Sequence, residues 1–505
     1  MRTKSAPKAR RSIAIALIAT LACPIAGRAQ DIRPDQPVAL TFAGAQARYD
    51  SSSAALRGAD HATAAARETA AAVATLHRPI VSASAQYLEY QKTLSVDLTG
   101  PKQEAIGNTQ QFLGGLPGSL PPAFQDIAAE ITGKLSQALP GLFSAIPDSL
   151  SYRYRDDLFR PTVQAVLPIY TGGAIPAVQD AAEAGVALAG AKADQVRDTA
   201  RVDLIRVYFG QQAAQALETS ARQSRDALQS LYDDARKLEA EGVIAHARTL
   251  EAEVARDTAE LALDRAVLAD QTARDELADT LDLSAVTPTT PLFVQSRPLA
   301  PVARFTGNEG QLPQSRQADA ARDLARSGVA LAKSRYRPQV FAFGEYNLNR
   351  DHALPTEPDW IVGVGARITL LSNVSRSHTL AAAREQQAAA EDAAIQARKT
   401  ATNATRRAWD LAEGARRSFL LLDSSIAAAE ENLRVQRVSF DEGEATVTAV
   451  LGAQAALATT RAQRIATAYE YDLALAGLLA SAGELGQFDS YLANADIHVA
   501  PEPAR

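Results

Sequence analysis

The side chains that most often carry chemistry are sparse and scattered in this 505-residue sequence. None of its six histidines has the close spacing to another ligand at which zinc sites recur, and there is no P-loop or nucleophile elbow. Paired acids such as Asp233 and Asp234 lie in charge-rich helical stretches, where a solvated face is the usual role. We therefore predict a protein that is not an enzyme and has no catalytic residue, cofactor or metal site. The isolated histidines are His61, His77, His246, His352, His378 and His498.

The composition favours long helices over a compact enzyme fold. Alanine is abundant and aromatic residues make up only 6% of the chain, and alanine loses no side-chain entropy when it enters a helix. The formal net charge is −6 and the charges are dispersed, so we do not expect nucleic acid as a partner. After the N-terminus no apolar run approaches the length of a membrane-spanning helix, so we expect any crossing of a membrane to be made by strands.

The first 29 residues have the order of a secretory signal. Basic residues between positions 4 and 11 precede an apolar run at 13–23, and Gly27-Arg28-Ala29 ends the segment with cleavage expected after Ala29. A short N-terminal anchor is one alternative, although a membrane span takes about 20 residues. A lipid-modified Cys23 is another, although Thr20 stands where such signals usually carry Leu. Cleavage after Ala29 would remove the only cysteine and leave the mature chain without disulfides.

An internal duplication organises the rest of the chain. Two strand-like runs in the first half match two in the second half, and a long helical stretch broken by one glycine follows each pair. Pro168 aligns with Thr369 and Gly242 with Gly443, both at an offset of 201 residues. We therefore predict a first repeat at 37–290, a second at 308–488 and a disordered tail at 489–505. The strand-like runs are Ile80–Tyr87, Thr162–Ile169, Gln339–Tyr346 and Ile361–Leu370.

The long helical stretches run from Ala174 to Leu238 and from Ser375 to Phe440. At 1.5 Å per residue each helix would be about 100 Å long. Apolar residues recur along them in alternating steps of three and four, as Leu228, Leu231 and Ala235 do, and this spacing predicts supercoiled helices. A soluble periplasmic coiled-coil scaffold has the same pattern, so the helices alone leave that alternative open.

The strand-like runs alternate between apolar and small or polar side chains. One apolar face opposite a polar one, in runs of about ten residues, is typical of a membrane barrel with an aqueous lumen; a one-sided soluble sheet alternates in the same way. The predicted lipid-facing residues are Val81, Ala83, Ala85, Tyr87, Val340, Ala342, Tyr346, Val362, Val364, Ala366, Ile368 and Leu370. The predicted lumen-facing residues are Ser82, Ser84, Gln86, Arg367 and Thr369. Four strands cannot close a barrel, which takes about eight, so several copies must combine theirs.

These features together resemble the TolC family of outer-membrane efflux proteins, over nearly all of Pro37–Phe488. The resemblance rests on the signal segment, the duplicated strand–strand–long-helix unit, an Arg-Pro before each first strand, and the turn from Phe440 to Gln454. It implies a mainly α fold with a small β part: a homotrimer with a twelve-stranded barrel in outer-membrane lipid and a helical coiled-coil tunnel in the periplasm of a Gram-negative bacterium. It also implies a passive exit duct of a tripartite efflux system, with a periplasmic adaptor protein and an inner-membrane transporter as partners. The alternative use of this fold is the outer-membrane component of a type I protein secretion system.

The sequence departs from the family at the predicted periplasmic entrance. Some members carry two aspartates three residues apart after the second turn's glycine, and the matching residues here are Ala449 and Gly452. The charges nearest to the two turns could form a ring that sets entry selectivity, because threefold repetition in a narrow mouth concentrates the field. The alternative is a pair of solvated helix turns. The candidate entrance residues are Glu241, Gly242, His246, Arg248, Glu251, Glu442, Gly443, Glu444, Ala449 and Gly452.

A second departure is an insertion in the first strand hairpin, at about 91–156. Pro79 and Pro168 are 89 residues apart, whereas Pro338 and Thr369 are 31 apart. The insertion contains an amphipathic stretch near Phe124–Phe143. We expect it outside the cell, either folded over the pore or as a loosely ordered surface loop.

Overall fold

The computed structural model describes residues 37–119, 125–349 and 358–500. The predicted signal segment with Cys23, and also His352, lie outside these ranges. The structure has ten α-helices and eight strands in the described ranges, and none of these helices is long and apolar enough to cross a membrane. The helices are α1 Phe42–Ser52, α2 Ala54–Ala74, α3 Thr99–Gly115, α4 Gln125–Phe143, α5 Ala174–Ala240, α6 His246–Leu281, α7 Pro313–Ser334, α8 Arg376–Asp441, α9 Val447–Ala482 and α10 Phe488–Ala493. The strands are β1 Val38–Leu40, β2 Ile80–Asp97, β3 Ser149–Tyr170, β4 Val286–Pro288, β5 Leu292–Val294, β6 Gln339–Asn347, β7 Trp360–Arg367 and β8 Ile497–Val499.

Four strands form one antiparallel sheet in the order β2-β3-β6-β7. β2 pairs with β3 along its whole length, from Ile80 opposite Val166 to Asp97 opposite Ser149. The register of β3 against β6 shifts at Pro168, which has no N–H to donate to the ladder. β2 and β7 lie at the two edges, and each has one side without a partner strand in the described part of the chain.

The predicted last strand is too long. β7 ends at Arg367, so Ile368, Thr369 and Leu370 lie beyond the sheet. The guanidinium of Arg376 accounts for this ending, because it donates to the carbonyl of Thr369 at 2.7 Å and to that of Leu370 at 2.8 Å. Those carbonyls are therefore bound to the first turn of α8 and not to a neighbouring strand.

The insertion in the first hairpin is built from regular elements. β2 and β3 extend into it, and the predicted amphipathic stretch is α4 from Gln125 onward, while Phe124 lies outside the described residues. α3 and α4 pack together, and Gln110 donates to the carbonyl of Ser136 at 3.2 Å. Lys102 fixes the pair to the end of the strands through Asp148 at 2.9 Å. In its described residues the insertion is therefore a strand extension that carries two helices, and not a loosely ordered loop.

Two long helices are present, and the helices of the two halves of the chain correspond in position. α5 has 67 residues and α8 has 66, and α6 and α9 have 36 each, with both ends of α9 at the predicted offset from those of α6. Gly242 and Gly443 end the long helices with φ of +74° and +80°, a left-handed conformation that favours glycine. The hydrogen bonds after the two glycines also correspond: the amide of Val243 donates to the carbonyl of Leu238, and the amide of Glu444 donates to the carbonyl of Ser439.

The largest core lies where the middle of the long helices meets the short strands. Phe42, Phe209, Phe293 and Phe488 are fully buried there, with ring centroids 5.3–5.9 Å apart. The predicted disorder of the tail is wrong for 489–500, because α10 follows Phe488 and β8 pairs antiparallel with β5. Val499 is buried in this pairing, so the apolar residues of the tail complete the core.

A buried ion pair, Arg416 with Glu413, lies within α8. Arg416 and Glu413 are both buried and form two hydrogen bonds, at 2.8 and 2.6 Å. The Arg416 guanidinium lowers the pKa of Glu413 to about 2, so this carboxylate stays ionised. Arg416 also donates to the carbonyl of Ser296 at 2.7 Å, and the amide of Leu299 donates to Glu413. The pair therefore attaches the connection between the repeats to α8.

Tyr208 joins three segments of this core through one hydroxyl. The buried hydroxyl donates to the carbonyl of Leu40 at 2.8 Å and accepts from the amides of Thr289 and Thr290 at 3.1 and 3.0 Å. The parallel pairing of β1 with β4 lies beside it.

We predict that Tyr208→Phe destabilises the core. The ring is kept, but the amide of Thr290 loses its acceptor, whereas that of Thr289 also reaches the Leu40 carbonyl. A buried donor without a partner costs about 1–3 kcal/mol, so thermal unfolding of the purified protein should begin at a lower temperature. Tyr49→Phe, at a partly buried ring packed on the same core, is the control. Equal effects of the two substitutions would contradict the role given to the Tyr208 hydroxyl.

Candidate functional site

The pairing register places ten of the twelve predicted lipid-facing residues on one face of the sheet, because Ile368 and Leu370 lie beyond the end of β7. Directly opposed residues of antiparallel strands share a face, and Val81 opposes Ala165, which opposes Gly344, which opposes Val362. The neighbouring positions continue this row, with Ala342 opposite Val364 and Val340 opposite Ala366. Ala83, Ala85, Tyr87 and Tyr346 lie on the same face by the same register. We call this surface the apolar face.

The opposite surface, the polar face, carries hydrogen-bonded side chains across the strands. The hydroxyls of Ser84 and Thr162 are 2.9 Å apart, and Arg160 forms an ion pair with Glu345 at 2.8 Å. Arg367 donates to Gln339 at 3.2 Å. Four of the predicted lumen-facing residues therefore share one face, since Ser82 and Gln86 also belong to it by register, while Thr369 lies beyond the end of β7.

Sequence reasoning missed two aromatic side chains on the polar face. Phe341 opposes Gly365 and Phe343 opposes Gly363. A Cβ atom added to either glycine would lie only 2.8 or 2.9 Å from the facing ring. The rings therefore cover the two glycines, as aromatic side chains do when they rescue glycine positions in sheets. The signal was present, since the alternating phenylalanines of one strand match the alternating glycines of the next.

The two helix turns lie side by side and share a polar cluster. Arg248 and Glu251 form an ion pair at 2.7 Å, Arg248 donates to the hydroxyl of Thr448 at 3.0 Å, and that hydroxyl donates to Glu251 at 2.8 Å. Thr448 belongs to the second repeat, whereas Arg248 and Glu251 belong to the first and occupy the positions that correspond to Ala449 and Gly452. We call these three residues the turn cluster.

The remaining candidate entrance residues lie around this cluster without joining it. His246 is 2.7 Å from Glu239, and Glu241, Gly242, Glu442, Gly443 and Glu444 are exposed in the turns. Ala449 is half-buried and Gly452 is exposed. Thr448 was not a predicted site residue, and its role follows only from the contact between two turns that are 200 residues apart in sequence.

Comparison with known proteins decides the family. Residues 151–281 and 311–484 match the family model described as outer membrane efflux protein. The chain belongs to this family. It is therefore an outer-membrane channel subunit, of the kind that serves as the exit duct of tripartite efflux systems, with its helical tunnel in the periplasm. No curated protein sequence gives a significant match.

Solved structures share the fold of this efflux protein at low sequence identity. A membrane protein from Pseudomonas aeruginosa is 13% identical with a TM-score of 0.69, and the alignment covers 88% of this chain and 93% of that one. The outer membrane protein VceC from Vibrio cholerae is 15% identical with a TM-score of 0.65, covering 88% and 96%. The MtrE outer membrane channel of Neisseria gonorrhoeae, in its open state, has the same identity and TM-score over 88% and 89%.

Two carboxylates at the turns of this efflux protein have lowered pKa values. The hydrogen bond from Thr448 lowers the pKa of Glu251 most, followed by that from Arg248. The pKa of Glu239 is lowered by the neighbouring Thr249 hydroxyl and by the contact with His246. Both groups are ionised at neutral pH, so the turn cluster is intact there. An acid whose pKa is lowered in the folded state loses its contribution only as the pH falls through that pKa.

We predict that Thr448→Val loosens the contact between the two turns and raises the conductance of the channel in planar bilayers at pH 7. The wild type should approach this higher conductance only below the ordinary carboxyl range near pH 4.5, where Glu251 takes up a proton. The variant should lack that acid step. Thr459→Val is the matched control, because its hydroxyl binds only the carbonyl of Ala455 in its own helix. A variant with wild-type conductance and an unchanged acid step would refute this role of the turn cluster.

Proposed function

We propose that three copies of this chain close one twelve-stranded barrel. The main support for this proposal is the pair of edge strands of the sheet, β2 and β7. Within the described residues, β2 and β7 each have backbone groups without a partner strand on one side, and in lipid each such group costs several kcal/mol. Strand directions alternate across the sheet, so β7 of one copy and β2 of the next pair antiparallel when copies repeat around an axis. Three copies give an even count of twelve strands.

The helices support the same assembly. α6 packs on α5, and α8 packs on α7 and α9, which leaves an outer side on both α6 and α8. Leu250, Val254, Leu261 and Leu268 are exposed on α6 at steps of four and seven residues. Leu421 and Val435 are exposed on α8, two heptads apart. Apolar residues at this spacing form a coiled-coil seam, so α8 of one copy fits α6 of the next and the helices close a tunnel.

In the proposed barrel the apolar face contacts outer-membrane lipid and the polar face lines the lumen. Val81, Val362 and Val364 are exposed in the single chain, as a lipid contact requires. The ion pair of Arg160 with Glu345 and the Ser84–Thr162 contact would then face water. Such a lumen moves solutes without covalent chemistry, so the duct is passive. An inner-membrane transporter would supply the energy, with a periplasmic adaptor protein at the turn end of the helices.

We predict that a lysine on the apolar face prevents insertion, whereas one on the polar face does not. A lysine that faces lipid near the barrel midplane costs about 2–4 kcal/mol. Val364→Lys and Ala366→Lys should each reduce the amount of folded oligomer recovered from outer membranes. Ser82→Lys, on the polar face, is the control and should be recovered like the wild type. Loss of Ser82→Lys with normal recovery of Val364→Lys would reverse the assignment of the faces.

Efflux is tested by removing the gene from its host. The deletion strain should become more sensitive to dyes, detergents, drugs or metal ions and should accumulate a fluorescent substrate of the pump. The wild-type gene should restore export, and the Val364→Lys variant should not. If the sensitivity profile is unchanged and a normally secreted protein is retained inside the cells, the chain is the duct of a protein secretion system instead.

A further inference from the structure

The hairpin of β2 and β3 extends well past the rest of the sheet. β6 ends where Asn347 opposes Thr162, whereas β2 and β3 continue to Asp97 opposite Ser149. We call residues 88–97 and 149–158 the arm. Their pairing has no register shift, so each side of the arm continues one face of the sheet below it.

The polarity of the two sides reverses in the outer part of the arm, beyond the pair of Lys92 with Tyr154. On the side that continues the apolar face, Glu89 and Arg155 form an ion pair at 3.2 Å, and polar residues follow at Thr93 and Ser95. On the side that continues the polar face, Leu94 opposes Tyr152 and Val96 opposes Leu150. We call this second surface the inner side of the arm. The sheet is therefore apolar outside at the level of Val81 and apolar inside at the level of Val96.

This reversal indicates where the arm lies. A charged outer side belongs in water, so the arm stands beyond the lipid, outside the cell. Its inner side faces the continuation of the lumen, which lipid does not reach. Yet Leu94, Val96, Leu150 and Tyr152 remain 49–62% exposed in the single chain. Apolar side chains that share one exposed side of a strand pair mark a surface which another molecule covers.

The helices at the end of the arm show a second uncovered apolar stripe. α4 packs on α3 through the side that carries the buried Leu139. The surface next to this side exposes Ile127, Ile131, Leu135 and Leu142 at roughly helical spacing. The charges of the helix, Asp126, Glu130 and Lys134, lie outside this stripe. Both parts of the insertion thus present apolar surface that the described part of the chain leaves exposed.

We propose that the arms of the assembled copies pack against one another through their inner sides and form an apolar constriction at the outer end of the channel. The occupant of each inner side is a second copy of this chain. The arm continues β2, the edge strand through which the sheet must join the next copy, so rotation about the channel axis brings identical inner sides together. This inference rests on the proposed barrel. An apolar constriction closes a pore by excluding water and opens when cargo displaces the packed side chains.

The test is cysteine cross-linking in intact cells. The only natural cysteine, Cys23, is replaced by Ala, and single cysteines are placed at Leu94 or Val96 on the inner side, or at Thr93 or Ser95 on the outer side. Disulfides form only when Cβ atoms come within about 3.5–4.5 Å. Treatment with copper phenanthroline should give covalent dimers of Leu94→Cys and Val96→Cys, at a yield severalfold above that of the adjacent outer-side controls.

Native gels of the same membranes separate the two levels of the proposal. Absence of any oligomer would refute the barrel itself. Intact oligomers without inner-side cross-links would overturn only the constriction: maleimide labelling at Leu94→Cys would then show an open outlet, and protection from labelling would show cover by α3 and α4 or by lipid. Equal cross-linking of inner-side and outer-side cysteines would overturn it as well.

A second measurement tests the constriction by charge. Leu94→Asp combined with Val96→Asp should hold the inner sides apart through repulsion and hydration, and should raise the single-channel conductance severalfold. Ser95→Asp, on the charged outer side, should leave the conductance unchanged. A double variant that assembles with wild-type conductance would show that the inner sides do not narrow the outlet.

Discussion

Backbone hydrogen bonding at the sheet edges is the constraint on which the structure depends. The sheet presents an apolar surface suited to lipid but ends in two edge strands, β2 and β7, that have no partner on one side among the described residues. A lipid environment offers no water to replace the missing partners. The alternation of strand directions allows one chain to complete another, and the exposed seams of α6 and α8 repeat the same relation in the helices. In the proposed assembly, sheet and tunnel close by the same rotation, although the sheet joins through hydrogen bonds and the tunnel through side-chain packing.

The duplication made most of the fold predictable. A fixed offset relates both ends of α6 and α9, the glycines that end α5 and α8, and the hydrogen bonds around those glycines. Periodicity carries this information because helix seams and strand faces follow from local geometry alone. The faces of β2, β6 and β7 were predictable for the same reason, and the register supports the grouping of residues such as Val81 with Val364.

The features that sequence reasoning missed all depend on contacts between distant segments. The tail is ordered because Val499 and Phe488 enter a core formed by other elements. β7 is short because Arg376 binds the carbonyls that would have continued it. Thr448 joins the turn cluster only because two turns from different repeats meet, and the reversal of polarity in the arm becomes visible only when the strands are paired residue by residue. Local sequence patterns do not determine contacts between distant segments. The turn cluster and the arm were therefore the least predictable parts of the structure.

The pairing of β3 with β6 has a consequence for biogenesis. The Arg160–Glu345 contact across it joins residues 185 positions apart, with all of α5 and α6 between them. Closing so large a loop costs chain entropy, and contacts of this separation form late in folding. Until then the chain holds two separate hairpins, which are at best marginally stable in water. The four-stranded sheet is therefore completed only after the two halves of the chain have met. Delivery to the membrane thus has to keep an unfinished, aggregation-prone sheet from pairing with the wrong edge.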